Sequence, residues 1–143
     1  MDKIPTTDTP IVYAGVCCYR DAPKMLDWLE RAFGFRKHAA YTGDDGKIVH
    51  AEMVFGKSIL MMASQRDDGV LGKLVRPPNE LGANSQAIYI AVPDADAVHA
   101  TATAAGAEIV MGLSDQPYGS RDFICKDPEG HIWCFGTYAP QVT

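Results

Sequence analysis

Across its 143 residues the chain has no apolar stretch approaching the length of a membrane span. Its opening, Met1-Asp2-Lys3-Ile4-Pro5-Thr6-Thr7-Asp8, lacks the apolar core of a secretory leader. A cytoplasmic protein with no membrane partner is the expectation. Positive charge is also scarce: 13 Lys and Arg stand against 18 Asp and Glu, for a formal net charge of -5, and the longest basic run is the pair Arg36-Lys37. Nucleic acids and anionic membranes are met by basic stripes or patches, so the composition argues against both. The four cysteines, Cys17, Cys18, Cys125 and Cys134, contain no C-x-x-C spacing. Adjacent residues of a strand point to opposite faces, so Cys17 and Cys18 cannot chelate one metal as a simple pair, and all four read as buried reduced thiols.

What the chain does have is a repeated order of elements. With 47% apolar residues it can build a proper core at this length. Residues 1–10 contain Pro5 and Pro10 and read as a tail. A strand from Ile11 to Tyr19 leads to Asp21, an N-cap, with Pro23 in the first turn of a helix whose stripe is Met25, Leu29, Ala32 and Phe33. Gly34 stops that helix. Strands over Arg36–Tyr41, Ile48–Phe55 and Ser58–Ala63 follow, the last two joined at Gly56-Lys57, and the first module spans 11–63. Residues 64–85, with Asp67-Asp68-Gly69 and Pro77-Pro78, read as a linker, either a lid over a pocket or an interface element.

The pattern then restarts over 86–138. A strand Ala87–Val92 is followed by the cap Asp94 and a helix Ala95–Ala105, then Gly106, a short strand Ala107–Met111, and a hairpin around Asp127-Pro128-Glu129-Gly130. Residues 139–143 form a second tail. The halves match at an offset of about 72 residues in cap and turn order, not in identity. Each β-α-β-β-β unit has one sheet face covered by its own helix and one left bare. Pairing two units would curve the bare faces around a shared concave space.

Tyr19-Arg20-Asp21-Ala22 and Val92-Pro93-Asp94-Ala95 at the strand-to-helix junctions, Arg31-Ala32-Phe33-Gly34-Phe35, and Asp127-Pro128-Glu129-Gly130-His131 complete a resemblance covering roughly residues 11–138. In this order and spacing the chain resembles the vicinal oxygen chelate superfamily, which includes glyoxalase I, bleomycin resistance proteins and extradiol dioxygenases. His50-Ala51-Glu52-Met53 and Tyr118-Gly119-Ser120-Arg121 look most like its small bacterial PhnB-like subgroup. The resemblance implies an α+β fold of two tandem βαβββ modules, an open, U-shaped eight-stranded sheet around a concave pocket with helices outside. It also implies a homodimer. Metal-dependent members carry His, Gln or Glu at the inward positions of the first and fourth strand of each module. Counted from the caps and turns, those positions here are Ala14, Met61, Ala87 and Cys134, so the usual metal site is expected to be missing and no cofactor is expected. A register slip of one residue would offer Tyr13, Gln86 or Trp133 instead.

Hairpin parity supplies the rest of the expected site. Across Gly56-Lys57, Glu52 pairs with Met61 and Val54 with Ile59, so His50, Glu52, Val54, Ile59 and Met61 share the cavity side. Taking Asp127–Gly130 as a four-residue turn pairs Phe123 with Cys134. That puts Arg121, Phe123, Cys125, Ile132 and Cys134 on the inner face, and alternation adds Val16, Cys18 and Tyr89. Tyr118 reaches in from a loop. His50 and Glu52, side by side at i and i+2, form a candidate acid/base pair, weighed against a solvent-facing His50 and a Glu52 paired with Arg121. Arg121 reads equally as a recognition group for an anionic ligand and as a rim ion pair. His131, His38 and His99 read as surface residues. Two functions survive: a metal-free protein binding a small aromatic or planar molecule, and a divalent-metal lyase, isomerase or dioxygenase using a non-standard set drawn from His50, Glu52 and Cys134. Metal-free catalysis by the His50 and Glu52 pair ranks below both.

Overall fold

The computed structural model describes residues 3–15 and 18–143. The first module comprises β1 (Ala14–Gly15), α1 (Ala22–Phe33), β2 (Arg36–Thr42), β3 (Ile48–Phe55) and β4 (Ser58–Met62). The second comprises β5 (Ile88–Ala91), α4 (Ala95–Ala104), β6 (Glu108–Asp115), β7 (Arg121–Lys126) and β8 (Ile132–Gly136). Between them the 64–85 segment forms two short helices, α2 (Gly69–Leu74) and α3 (Pro78–Leu81). The eight strands form two open four-stranded sheets, ordered β1-β4-β3-β2 and β5-β8-β7-β6. This is the doubled βαβββ arrangement with its helices, in which β1 and β5 are edge strands.

Local chemistry sets the helix ends. The Asp21 side chain accepts from the Lys24 N–H at 3.2 Å, and Asp94 does the same for Ala97 at 3.0 Å. Gly34 closes α1 at φ +86°, in the left-handed region where a side chain would be strained. Between these ends, Met25, Leu26, Trp28, Leu29, Ala32 and Phe33 are buried. Each large side chain among them contributes on the order of 1.5–3 kcal/mol by leaving water, which outweighs any single hydrogen bond on the helix.

The helix-covered sides of both sheets share one core with α1 and α4. Phe33 lies 5.3 Å from Trp133 and 4.7 Å from Phe135, and Phe35 bridges Phe55 and Trp133 at 4.8 and 5.8 Å. The helices run antiparallel: Trp28 donates from Nε1 to the Ala105 carbonyl at 2.8 Å, and Thr101 donates to the Ala32 carbonyl at 2.7 Å.

A second seam joins the modules at the start of α1. The buried Asp127 carboxylate accepts from the Tyr19 hydroxyl at 2.7 Å, from Trp133 Nε1 at 3.0 Å, and from the backbone N–H groups of Glu129 and His131 at 2.9 and 3.1 Å. A buried carboxylate with four donors is fully compensated. Burial and the adjacent Asp127 push the Tyr19 hydroxyl well above the ordinary tyrosine range. Glu129 accepts from the N–H groups of Arg20 and Asp21 at 2.5 and 2.9 Å, so the second module satisfies donors at the entrance to the first module's helix.

Candidate functional site

On the first sheet the hairpin parity holds. Val54 pairs with Ile59 and Glu52 with Met61, which places His50, Glu52, Val54, Ile59 and Met61 on the side away from α1. The alternate residues Ala51, Met53, Leu60 and Met62 are buried under the helix. His50 Nε2 lies 2.9 Å from Glu52 Oε2, a direct pairing of the two predicted residues. A register shift in β2 between Lys37 and Ala39 adds His38 opposite Glu52, with Nε2 at 3.8 Å from Oε1, and the Tyr41 ring stacks beside His50 at 6.3 Å. His38 is therefore part of the cluster. Strict alternation gave no hint of it, because a bulge inserts one unpaired residue and leaves no reliable sequence mark.

On the second sheet Ile132, Cys134 and Tyr89 keep the expected face, but the parity of β7 is the reverse of the expectation. Phe123 pairs with Phe135, Ile124 with Cys134 and Cys125 with Trp133. The closing pair is Asp127 with His131, through Asp127 N–H to the His131 carbonyl at 3.0 Å. The loop proper is Pro128-Glu129-Gly130, with the Gly130 N–H donating to the Asp127 carbonyl at 2.9 Å and Gly130 at φ +92°. A three-residue loop in place of four moves every side chain of one strand to the other face. Phe123 is accordingly in the core, stacked on Phe135 at 5.3 Å with the His99 ring edge-on at 5.1 Å, and Cys125 is buried beside it.

Arg121 also leaves the expected cavity. It holds Asp96 of α4 through Nε at 2.8 Å and Nη2 at 3.1 Å, and Asp115 through Nη1 at 3.2 Å. It is thus the rim ion pair, with acids other than Glu52. The residues that do share the face of Cys134 include Asp122, Ile124 and Lys126, which parity from a four-residue turn had hidden. The sequence did hold a signal, since Asp-Pro-Glu-Gly with Gly in fourth place is the composition of a three-residue loop closed by a left-handed residue. His131 is half-buried, its ring 4.8 Å from Tyr19 and its Nε2 3.3 Å from the Cys18 carbonyl.

A cleft of about 600 Å³ lies between the edge strands of the two sheets. Its walls include Tyr13, Phe35, Phe55, Ile59, Leu60 and Tyr89, with Lys57 and Ser58 at one end. Among the described residues, Ile59 and Tyr89 are the predicted ligand-binding residues that line it. Cys18 lies in a separate cleft beneath the 64–85 segment, its thiol donating to the Val75 carbonyl at 2.9 Å. His50, Glu52, Val54, Met61 and Cys134 lie on the half-exposed bare faces, Tyr118 is exposed, and Val16 falls outside the described residues.

With this architecture in place, the profile of the Glyoxalase/Bleomycin resistance protein/Dioxygenase superfamily matches residues 13–135. The chain belongs to that superfamily. TioX from Micromonospora sp. ML1 is 31% identical, with a TM-score of 0.71 over 90% of this chain and 99% of that one. An uncharacterized protein of Mycobacterium bovis is 33% identical over 122 residues, 85% of this chain and 80% of the relative. A PhnB protein from Bacillus cereus, 14% identical, shares the fold with a TM-score of 0.61 over 87% of this chain and 96% of that one.

The superfamily's metal positions can be tested against these registers. Ala14 pairs with Leu60 and packs against the core, so the inward residue of β1 is Gly15, opposite Met61. Cys134 lies beside Tyr89, and Ala87 precedes β5 on the same parity. Glycine, methionine, alanine and a thiol offer no hard nitrogen or oxygen donor. Burial, with Asp122 adding to it, pushes the Cys134 thiol up and keeps it protonated, which makes it a poor ligand. Among the described residues of one chain, no group of three His, Cys, Asp or Glu side chains could hold a metal ion. These residues do not fit the usual divalent site.

Proposed function

We infer that the protein binds a small aromatic or otherwise planar molecule, after the manner of the bleomycin resistance members of its superfamily, without the usual metal centre. The observation that carries this reading is the cleft of about 600 Å³ between the sheets, within the range of small-molecule sites and walled by aromatic and aliphatic side chains with one lysine and one serine. Two open edges flank it, β1 and β5, and the bare faces of both sheets are half-exposed. A second copy of the chain would cover them, so the reading includes a homodimer. It also includes a cytoplasmic location; no described helix is long and apolar enough to cross a membrane.

The His50 and Glu52 pair, with His38 beside it, favours one alternative: catalysis of proton transfer, or metal chemistry on a non-standard ligand set, at the bare face of the first sheet. In a single chain Cys134 belongs to the other sheet, so that set would have to be gathered across the assembly.

Titration with the planar anionic dye 8-anilinonaphthalene-1-sulfonate tests the cleft. Saturable fluorescence is expected, weakened about tenfold in Ile59→Glu, where a charge enters an apolar wall. Equal binding by parent and variant would overturn the assignment. Metal analysis of protein purified without a histidine tag tests the alternative. Stoichiometric metal that disappears in His50→Ala or Glu52→Ala would sink the metal-free reading.

A further inference from the structure

Beside the bare face of the second sheet stands a cluster of which the cleft uses only Tyr89 among the described residues. Tyr118 and Tyr138 are 67% and 53% exposed, and their rings meet edge to face at 6.0 Å and 81°. The two perpendicular rings make an open corner. The Asp122 carboxylate lies at its base, accepting from the Tyr118 hydroxyl at 3.3 Å and from the Ser120 hydroxyl.

Hydrogen bonds hold the parts in place. Ser120 Oγ also accepts from the Tyr138 N–H at 3.1 Å, and the Tyr138 carbonyl accepts from the Tyr89 hydroxyl at 2.6 Å. This chain of bonds fixes three tyrosines and one carboxylate relative to one another before anything binds. Gly136 makes the arrangement possible. A Cβ there would stand 2.4 Å from Asp122 Oδ1 and 2.7 Å from the Tyr89 hydroxyl, so the strand must lack a side chain where those two polar atoms meet.

Among the described residues no cation pairs with the Asp122 carboxylate, whose hydrogen-bond donors are the neutral hydroxyls of Tyr118 and Ser120. Arg121, next in sequence, is spent on Asp96 and Asp115, and Lys126, on the same face, leans 3.9 Å from Glu108. Burial first, and then the Asp122 charge, push the Tyr118 hydroxyl up, as expected for phenols that stay neutral beside a negative field. Neutral tyrosine rings present electron-rich faces, and a carboxylate with lone pairs to spare completes a setting that suits an organic cation better than an anion or a neutral apolar group.

We propose that Tyr118, Tyr138 and Asp122, with Tyr89 braced behind them, form a receptor for a small organic cation, a quaternary or protonated amine. Tyr89 is shared with the wall of the cleft, so one ligand could place its planar part in the cleft and its cationic group at this corner. The corner stands on its own geometry, and the dye titration can fail without touching it.

The test uses tetramethylammonium and its neutral counterpart neopentyl alcohol, followed by tyrosine ring shifts in NMR, with sedimentation to record the oligomeric state. Saturable shifts with the cation and none with the alcohol are expected. Tyr118→Ala should weaken binding about two- to fivefold, the value of one exposed aromatic wall, and Asp122→Asn about tenfold. Asp115→Asn, which removes the same charge outside the corner, should stay within about twofold. Gly136→Ala should lose binding while both exposed rings remain. Tyr118 is exposed, so its variant keeps the fold. Equal binding of the alcohol, an equal loss in Asp115→Asn, or no saturable shift would overturn the proposal. So would a Tyr118→Ala variant that changes the oligomeric state and leaves cation binding intact, since the ring would then serve an interface.

Discussion

The two modules each end in a hairpin, and the two hairpins differ in one residue of loop. The Gly56-Lys57 turn joins β3 to β4 through two residues, with Gly56 at φ +58° and open space where its side chain would go. The Asp127 to His131 turn joins β7 to β8 through three, with Gly130 at φ +92° pressed against Asn79. The first is a bend at the surface. The second is a bend and also the place where the modules lock, because its extra residue turns the Asp127 carboxylate inward to meet Tyr19 and Trp133. One residue of loop decides both which strand face looks outward and whether the turn has neighbours.

The largest test of that difference is Asp127→Ala. It strands the Tyr19 hydroxyl, the indole N–H of Trp133 and two backbone donors, and unfolding by urea should show a loss of about 3–5 kcal/mol. A loss below about 1 kcal/mol would mean that the lock is ornamental. Next come the two glycines. Gly130→Ala adds left-handed strain and a Cβ 2.2 Å from Asn79 Oδ1, disturbing the Asn79 donation to the Pro128 carbonyl; about 2 kcal/mol is expected. Gly56→Ala has the strain without the collision, about 1 kcal/mol, and equal costs would erase the distinction between the turns.

A smaller effect comes from the thiol that the three-residue loop buries. Burial, then the charge of Asp127 and the neighbouring Cys134, pushes Cys125 from 9.0 up to about 12. A thiol held protonated by the fold gives stability that is complete below its ordinary value and is lost as pH rises through the raised one. Stability of the parent should therefore begin to fall between about pH 9 and 10, before Tyr19 adds its own decline, and Cys125→Ala should make that first slope shallower, leaving the part that the raised Cys134 contributes. Smallest is Arg121→Ala. Its partners are exposed acids, so the thermal midpoint and dye binding should not change measurably, whereas a loss of dye binding would return Arg121 to the cavity side.

The duplicated order of strands and helices, both N-caps and the whole first hairpin were readable from residue types. A Gly-Lys pair between two alternating runs admits one register, and Asp21 and Asp94 announce helix starts wherever they occur. The second hairpin was readable only in part: Gly130 in fourth place signals a three-residue loop, but Asp127 can act as a turn residue or as the last paired residue, and its buried partners Tyr19 and Trp133, distant in sequence, settle the choice. The bulge that brings His38 to Glu52 depends likewise on how β2 is pulled against β3. Ala14 faces the core because parallel pairing matches it with Leu60, a relation no count from Asp21 contains. The tyrosine corner escaped notice because it joins a loop, a strand and the C-terminal tail, three segments with no common period.

The Glu129 carboxylate that receives the N–H groups of Arg20 and Asp21 has a bearing on how the chain comes to be folded. The first helix can gather its own apolar stripe early, but the donors at its entrance meet the Glu129 carboxylate in place of water only once residues more than a hundred positions later have been made. A contact of such sequence separation must close a long loop before it is rewarded, which slows the final ordering. On the ribosome the first module would wait, half-finished at one end, for the last hairpin to emerge. The two modules that look like repeats of one another in space are, in time, a single unit closed by its final turn.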